Sequence, residues 1–225
     1  METYVVRMWL PDRPGALGQV ASRIGAVRGE IVGIDILERG AGRAIDELVV
    51  ELPEGSLTDL LVSEIQQVDG VDVEEVRPVA EALHDPRLDA LETAAMLVGA
   101  TNSYELIECL VLQSQRVIGA EWGVVIDLDT GDVEVAEGSP PPAPWILAFV
   151  AGSQASARGV GENGADDVVW SPLPSAGLAL VLGRDGTPYR ARERRQVAAL
   201  ARIVDTRLRE LVRLTAMRHH PSIGS

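Results

Sequence analysis

The chain has 225 residues, 46% of them hydrophobic, and a formal net charge of −14. That is enough for a sizeable core in one large or two small domains, and the charge disfavours nucleic acid and anionic membranes as partners. All 20 basic residues are arginine, which excludes a Schiff-base lysine, a pyridoxal phosphate anchor and a Walker A phosphate loop.

One cysteine, Cys109, excludes an internal disulfide and leaves no argument for an oxidising compartment. No apolar run approaches the ~20 residues of a bilayer span, and the first residues lack a signal-peptide pattern. A cytoplasmic location is expected.

Tyr4, Val6, Met8 and Leu10 alternate and predict a strand; Leu17, Val20, Ala21, Ile24 and Val27 then fall on one helical face that Gly29 closes. Between them stands "LPDRPGALGQV". Pro14 has φ preset for a first helical turn, and Asp12 is placed to cap the amides of Gly15 and Ala16. Gly15 removes a side chain where free amides and the positive end of the helix dipole face outward, so a carboxylate fits there.

Residues 31–37 and 44–52 are apolar-rich runs joined by "ERGAGR", a hairpin signal. Ser56 and Asp59 form a weak capping box before a second helix with Leu57, Leu60, Leu61, Ile65 and Val68 on its stripe. After Gly70, "VDVEEV" reads as an acidic strand. The order βαββαβ implies two helices on one face of a four-stranded antiparallel sheet, the ferredoxin-like arrangement.

Order and motif together resemble an ACT domain over residues 1–79, with "DRPGAL" where that family has its Asp-x-Pro-Gly-x-Leu turn. The resemblance implies an amino acid or similar small metabolite held at an interface between two such modules. Carried over by position, Asp12, Pro14, Gly15, Ala16 and Leu17 form the turn, and Glu30, Ile31 and Val32 of a neighbouring module face it. Glu30 stands where amino-acid-binding members often have asparagine; a carboxylate there suits an ammonium group and repels a ligand carboxylate.

Residues 80–101 read as a linker with a helix carrying Leu88, Leu91, Ala95 and Val98. A helix over 105–118 places Leu106, Cys109, Leu110, Gln113 and Val117 on one stripe, with Cys109 a buried small apolar residue rather than a nucleophile. Around Asp129 and Gly131 a hairpin is predicted. A calcium loop fails there, because Gly131 and Gly138 stand where acids are required.

"GSPPPAPW" reads as loop, and "WILAFVAG" as a buried segment of open type. Gly159, Gly161 and Gly164 spell G-x-G-x-x-G, but they run into Asp166, Asp167 and the strand-like "VVWSPLP" instead of opening a helix. "GLALVLG" is a buried strand, and after Pro188 a long helix carries Val197, Leu200, Ala201, Val204, Leu208 and Leu211 on one face.

Element order over residues 102–218 resembles a GAF domain, a sensory module built on a central antiparallel sheet flanked by helices. The cyclic-nucleotide signature of that family is absent here, and no ligand residues carry over. Residues 219–225 read as a tail.

The expected protein is therefore α+β and non-enzymatic: a regulatory ligand sensor, homodimeric, binding a small molecule without cofactor or metal. A homodimer is expected because a lone ACT-type sheet leaves an edge exposed. Alternatives are a small enzyme controlled by the first module, or an interaction scaffold. Against the enzyme stand the absent lysine and the placement of His84, His219 and His220 in linker and tail. For the scaffold, the span from Arg190 to Arg218 carries nine arginines against Glu193, Asp205 and Glu210, more simply a solvated basic face than a docking stripe.

Overall fold

The computed structural model describes residues 1–55, 57–79, 86–157 and 166–218. The chain divides into two compact units, Met1–Asp85 with Arg190–Arg192, and Pro86–Tyr189 with Glu193–Ser225. The expected capping role of Ser56, the loop of Gly159, Gly161 and Gly164, and all three histidines lie outside the described residues.

The first unit runs β1 (Glu2–Pro11), α1 (Ala16–Ala26), β2 (Glu30–Gly40), β3 (Arg43–Leu52), α2 (Thr58–Ile65) and β4 (Asp72–Val79). Its strands pair antiparallel in the order β2-β3-β1-β4, the ferredoxin-like topology. Alternation sends Val6, Met8 and Leu10 of β1 and Ala44, Leu48, Val50 and Leu52 of β3 into one buried cluster with Ala16, Val20 and Ile24 of α1 and Leu61 and Ile65 of α2. Both helices therefore cover the same sheet face. On the other face Arg7 stands opposite Glu47, with Nε and Nη2 both donating to Glu47 Oε1 at 3.0 and 2.7 Å.

The second unit runs α3 (Pro86–Gly99), α4 (Ser103–Ile118), β5 (Trp122–Asp127), β6 (Val133–Glu137), α5 (Ala143–Ala157), β7 (Val168–Leu173), β8 (Leu178–Gly183) and α6 (Ala191–Arg218). Its antiparallel sheet has the order β6-β5-β8-β7. Period-2 alternation divides the core in two. Val125, Leu180 and Leu182 pack with Leu106, Leu110 and Val111 of α4 and Val197, Val204 and Leu208 of α6. Val124, Ile126, Ala179 and Val181 pack with Ile146 and Val150 of α5 on the opposite face. A sheet between helical layers results.

Several sequence expectations need correction. Asp12 does not cap α1: Gly15 is the N-cap, with φ 86° and no side-chain cap bond, while Asp12 is exposed and spends its own N–H on the carbonyl of Gly42. A glycine in left-handed conformation aims the first turn without a side-chain oxygen. At the other end Arg28 takes the left-handed φ of 61°, and Gly29 instead provides room, since a Cβ there would meet Ile24 Cγ2 at 2.7 Å.

On α2 the N-cap is Leu57, without a side-chain cap bond, and Leu57 and Leu60 are exposed; of the expected stripe Leu61 and Ile65, and Val68 just past the helix, reach the core. The buried face of α4 is Leu106, Ile107, Leu110, Val111, Ser114 and Ile118, which leaves Cys109 and Gln113 half-buried at its margin. Trp145 and the apolar residues after it form α5, and Pro144 sits inside its first turn, where a missing N–H costs nothing. On α3 the expected stripe is the exposed side.

Candidate functional site

At the start of α1 the amides of Leu17 and Gly18 have no hydrogen-bond partner, whereas Ala16 donates to Arg13 and Gln19 to Gly15. Nothing lies within 4 Å of the position a Cβ on Gly15 would take. Asp12, Arg13, Pro14 and Gly15 are exposed, Leu17 is half-buried, and Ala16 is anchored in the core. The first turn holds no acidic residue. An anion meets free donors and the positive end of the helix dipole at this spot.

On the helix-facing side of β3, three residues in from its turn end, stands Asp46, opposite Met8 of β1 and Ile36 of β2. It is 4% exposed, and its Oδ1 is fully buried without a hydrogen-bond partner. Burial pushes its carboxyl above the usual carboxylate range; the charge of Arg39 opposes this and that of Asp12 adds to it. Next to it on β2, Ile34 and Ile36 are 51% and 40% exposed. The site thus combines free amide donors, an orphan carboxylate and an apolar shelf.

Asp12, Pro14, Gly15, Ala16 and Leu17 are contiguous at this corner, as expected from their sequence. Glu30, Ile31 and Val32 are not brought there. Pro11 pairs with Arg43 at the turn end of the sheet, while Glu30 pairs with Glu51 at the other, about 25 Å away at the rise of a strand. Within one chain these two groups cannot touch a common small ligand. Asp46 was missed because in "RAIDELVVEL" it reads as one of three ordinary acids; only the register puts it on the apolar side.

The second unit has a cleft of about 420 Å³ lined by Ser103 and Ile107 of α4, Asp127 and Glu134 of the β5–β6 hairpin, Ser175 and Leu178, and Leu208, Arg209 and Arg213 of α6. Asp127 is committed to the hairpin: its Oδ1 accepts the N–H groups of Thr130 and Asp129, which hold its carboxyl below the usual range. Ser175 is fixed to the buried Asp205, donating its N–H to Oδ1 at 2.7 Å. Among the described residues no group of three or more His, Cys, Asp or Glu is disposed to hold a metal ion, and no helix is long and apolar enough to cross a membrane.

These two units define the class: a ferredoxin-like α+β module and a four-stranded antiparallel sheet between helices. No protein-family model matches the chain, and no curated protein sequence matches it. Solved structures with similar folds include an ACT domain protein from Streptococcus pneumoniae, 18% identical with a TM-score of 0.31, covering 37% of this chain and 98% of that one. They also include the GAF domain of a Pseudomonas syringae pv. tomato protein described as a sensor histidine kinase, 13% identical with a TM-score of 0.38, covering 60% of this chain and 92% of that one. A third is the bacteriophytochrome RpBphP3 of R. palustris, 12% identical with a TM-score of 0.43 over 83% of this chain and 44% of that one. At such identities and TM-scores these likenesses carry no functional argument, and the function is read from the residues.

Proposed function

We propose that the protein is a non-enzymatic regulatory sensor that holds a free amino acid, or a similar small amine-bearing carboxylate, at the start of α1. The observation that carries this reading is the presence, in one module, of free amides at Leu17 and Gly18 and of a buried, unpartnered carboxylate at Asp46 that feels the charge of Asp12. The ligand carboxylate takes the amides, its ammonium takes Asp46 with Asp12 nearby, and its side chain lies on Ile34 and Ile36. An ammonium satisfies a group that the empty fold leaves costly.

In this proposal Glu30, Ile31 and Val32 complete the site from a second copy, because the register holds them away from the turn of their own chain. β2 is the edge strand of its sheet and offers unpaired backbone for such side-by-side association. The second module transmits the bound state to a further partner.

A thermal-shift screen against the twenty amino acids tests the reading, run on the wild type, Gly15→Trp and Asp46→Asn. Binding to the folded state alone raises the melting temperature by mass action. A rise with one or a few amino acids, lost in both variants, supports the site. No rise with any amino acid overturns it, as does a rise that both variants retain.

A further inference from the structure

Helix α6 turns Val197, Leu200, Ala201, Val204, Leu208 and Leu211 into the core of the second unit. At about 100° per residue, the side directly opposite carries Arg195, Ala199, Arg202, Thr206, Arg209 and Arg213, spaced alternately four and three residues. All four arginines are exposed, and the residues between them are small.

From the sequence the basic excess of this span reads as a solvated face; the packing sorts its arginines. Arg194 is engaged with Asp166 and the carbonyl of Tyr189, and Arg207 with Glu210 and the carbonyl of Ala100. Arg195, Arg202 and Arg213 form no ion pair with any described residue, and the ion-pair partner of Arg209 is Asp205 of the same helix, at 3.3 Å. The stripe itself holds no acid: Glu210 is turned to Arg207, and Asp205 is buried. A solvated helix face in a chain with 34 acids and 20 bases mixes its signs. Four arginines along about 27 Å of helix repel one another instead, and like charges four residues apart, as in Arg209 and Arg213, destabilise a helix. A partner of opposite charge removes that cost.

We propose that this face of α6 docks an acidic helical segment of another protein. Arg195, Arg202 and Arg209 recur every seven residues, about 10.5 Å, the repeat of one side of a helix lying alongside, so carboxylates at that repeat meet all three. Guanidinium forks pair bidentately with carboxylates, and Ala199 and Thr206 leave room for a second helix to approach. A nucleic acid fits less well. The stripe offers no aromatic side chain for a base to stack on, and a phosphate chain running past it meets the protein's excess of acids. A second copy laid along the same stripe brings arginine to arginine. The surface belongs to α6 alone and is independent of the site at α1.

The test is fluorescence anisotropy of the full chain with three labelled probes: a glutamate-rich helical peptide, its glutamine counterpart and a single-stranded DNA oligonucleotide. The glutamate peptide is expected to bind, more weakly as salt rises, and the other two to bind poorly. Arg195→Glu with Arg202→Glu should weaken that binding about tenfold, since two exposed ion pairs are exchanged for two repulsions. Arg28→Glu with Arg116→Glu makes the same change in net charge away from α6 and should leave binding within about twofold.

All four of these side chains are exposed, so the variants keep the fold, which circular dichroism checks. A glutamate peptide that fails to bind overturns the proposal. So does an oligonucleotide bound as tightly as the peptide, or a loss of binding that the two double variants share.

Discussion

Arg184 and Glu193 form an ion pair at 2.8 Å with both side chains 8% exposed. The guanidinium also donates to the carbonyls of Ile118, Thr187 and Pro188 and lies over the Tyr189 ring at 4.0 Å. One side chain thereby ties the end of β8 to the C-terminus of α4 and the loop before α6. Removing Glu193 leaves the buried Arg184 guanidinium without its counter-charge, held only by neutral carbonyls and the ring. Glu193→Ala is therefore expected to lower the free energy of unfolding by about 3–5 kcal/mol, read as a fall in the urea midpoint at unchanged slope. A change below 1 kcal/mol would show the pair to be expendable.

The indole of Trp122 on β5 packs against Gly183 of β8, its register partner. A Cβ on Gly183 would stand 2.1 Å from the indole ring, closer than any non-bonded pair tolerates. Both strands are held by their ladders, so the ring must move. Gly183→Ala should cost about 1–3 kcal/mol or more, with a changed near-ultraviolet circular dichroism signal from the displaced indole. An unchanged spectrum and stability would refute the contact.

Asp46 sets a pH dependence whose sign follows from its raised carboxyl. The folded state holds the proton more tightly than the unfolded chain, so stability is highest below the unfolded value near 4 and falls as pH rises through the folded value. Asp46→Asn should be more stable than the wild type at pH 7, by about 1–3 kcal/mol for relief of a buried, unpartnered charge, and the gain should vanish near pH 3. Urea unfolding at the two pH values checks it. An equal gain at both would exclude ionisation of Asp46 as the cause.

Cys109 is half-buried, and its thiol is pushed up, first by burial and then by the charges of Glu105 and Glu108. The thiolate is the reactive form, so it should react with a disulfide reagent at neutral pH more slowly than a free thiol, and at the ordinary rate in urea. Equal rates in both states would contradict its packing at the margin of α4.

The order βαββαβ, the hairpin at Asp127, the buried strand β8 and the core face of α6 were all legible, because long apolar periodicities overrule local chemistry. Every residue expected on the α6 stripe, from Val197 to Leu211, is buried. Less legible were the ends of elements. Asp12 has the chemistry of a cap, yet a strand-end bond to Gly42 takes its backbone and Gly15 takes the cap position. Capping depends on where the side-chain oxygen stands relative to the first helical amides, and the strand-end bond of Asp12 together with the left-handed Gly15 settles that position, not the residue type alone.

By itself the sequence determined two α+β modules, their strand and helix order, and a bare glycine at the head of α1. Pattern and turn chemistry act within a few residues and are written in the chain. Only the tertiary structure decided that Asp46 is buried without a hydrogen-bond partner on the helix-facing side of β3, that Glu30 lies at the far end of the sheet from the α1 turn, and that the α3 stripe faces outward. Those facts depend on strand register and on which of two apolar faces finds a core, and both are settled by contacts between residues distant in sequence.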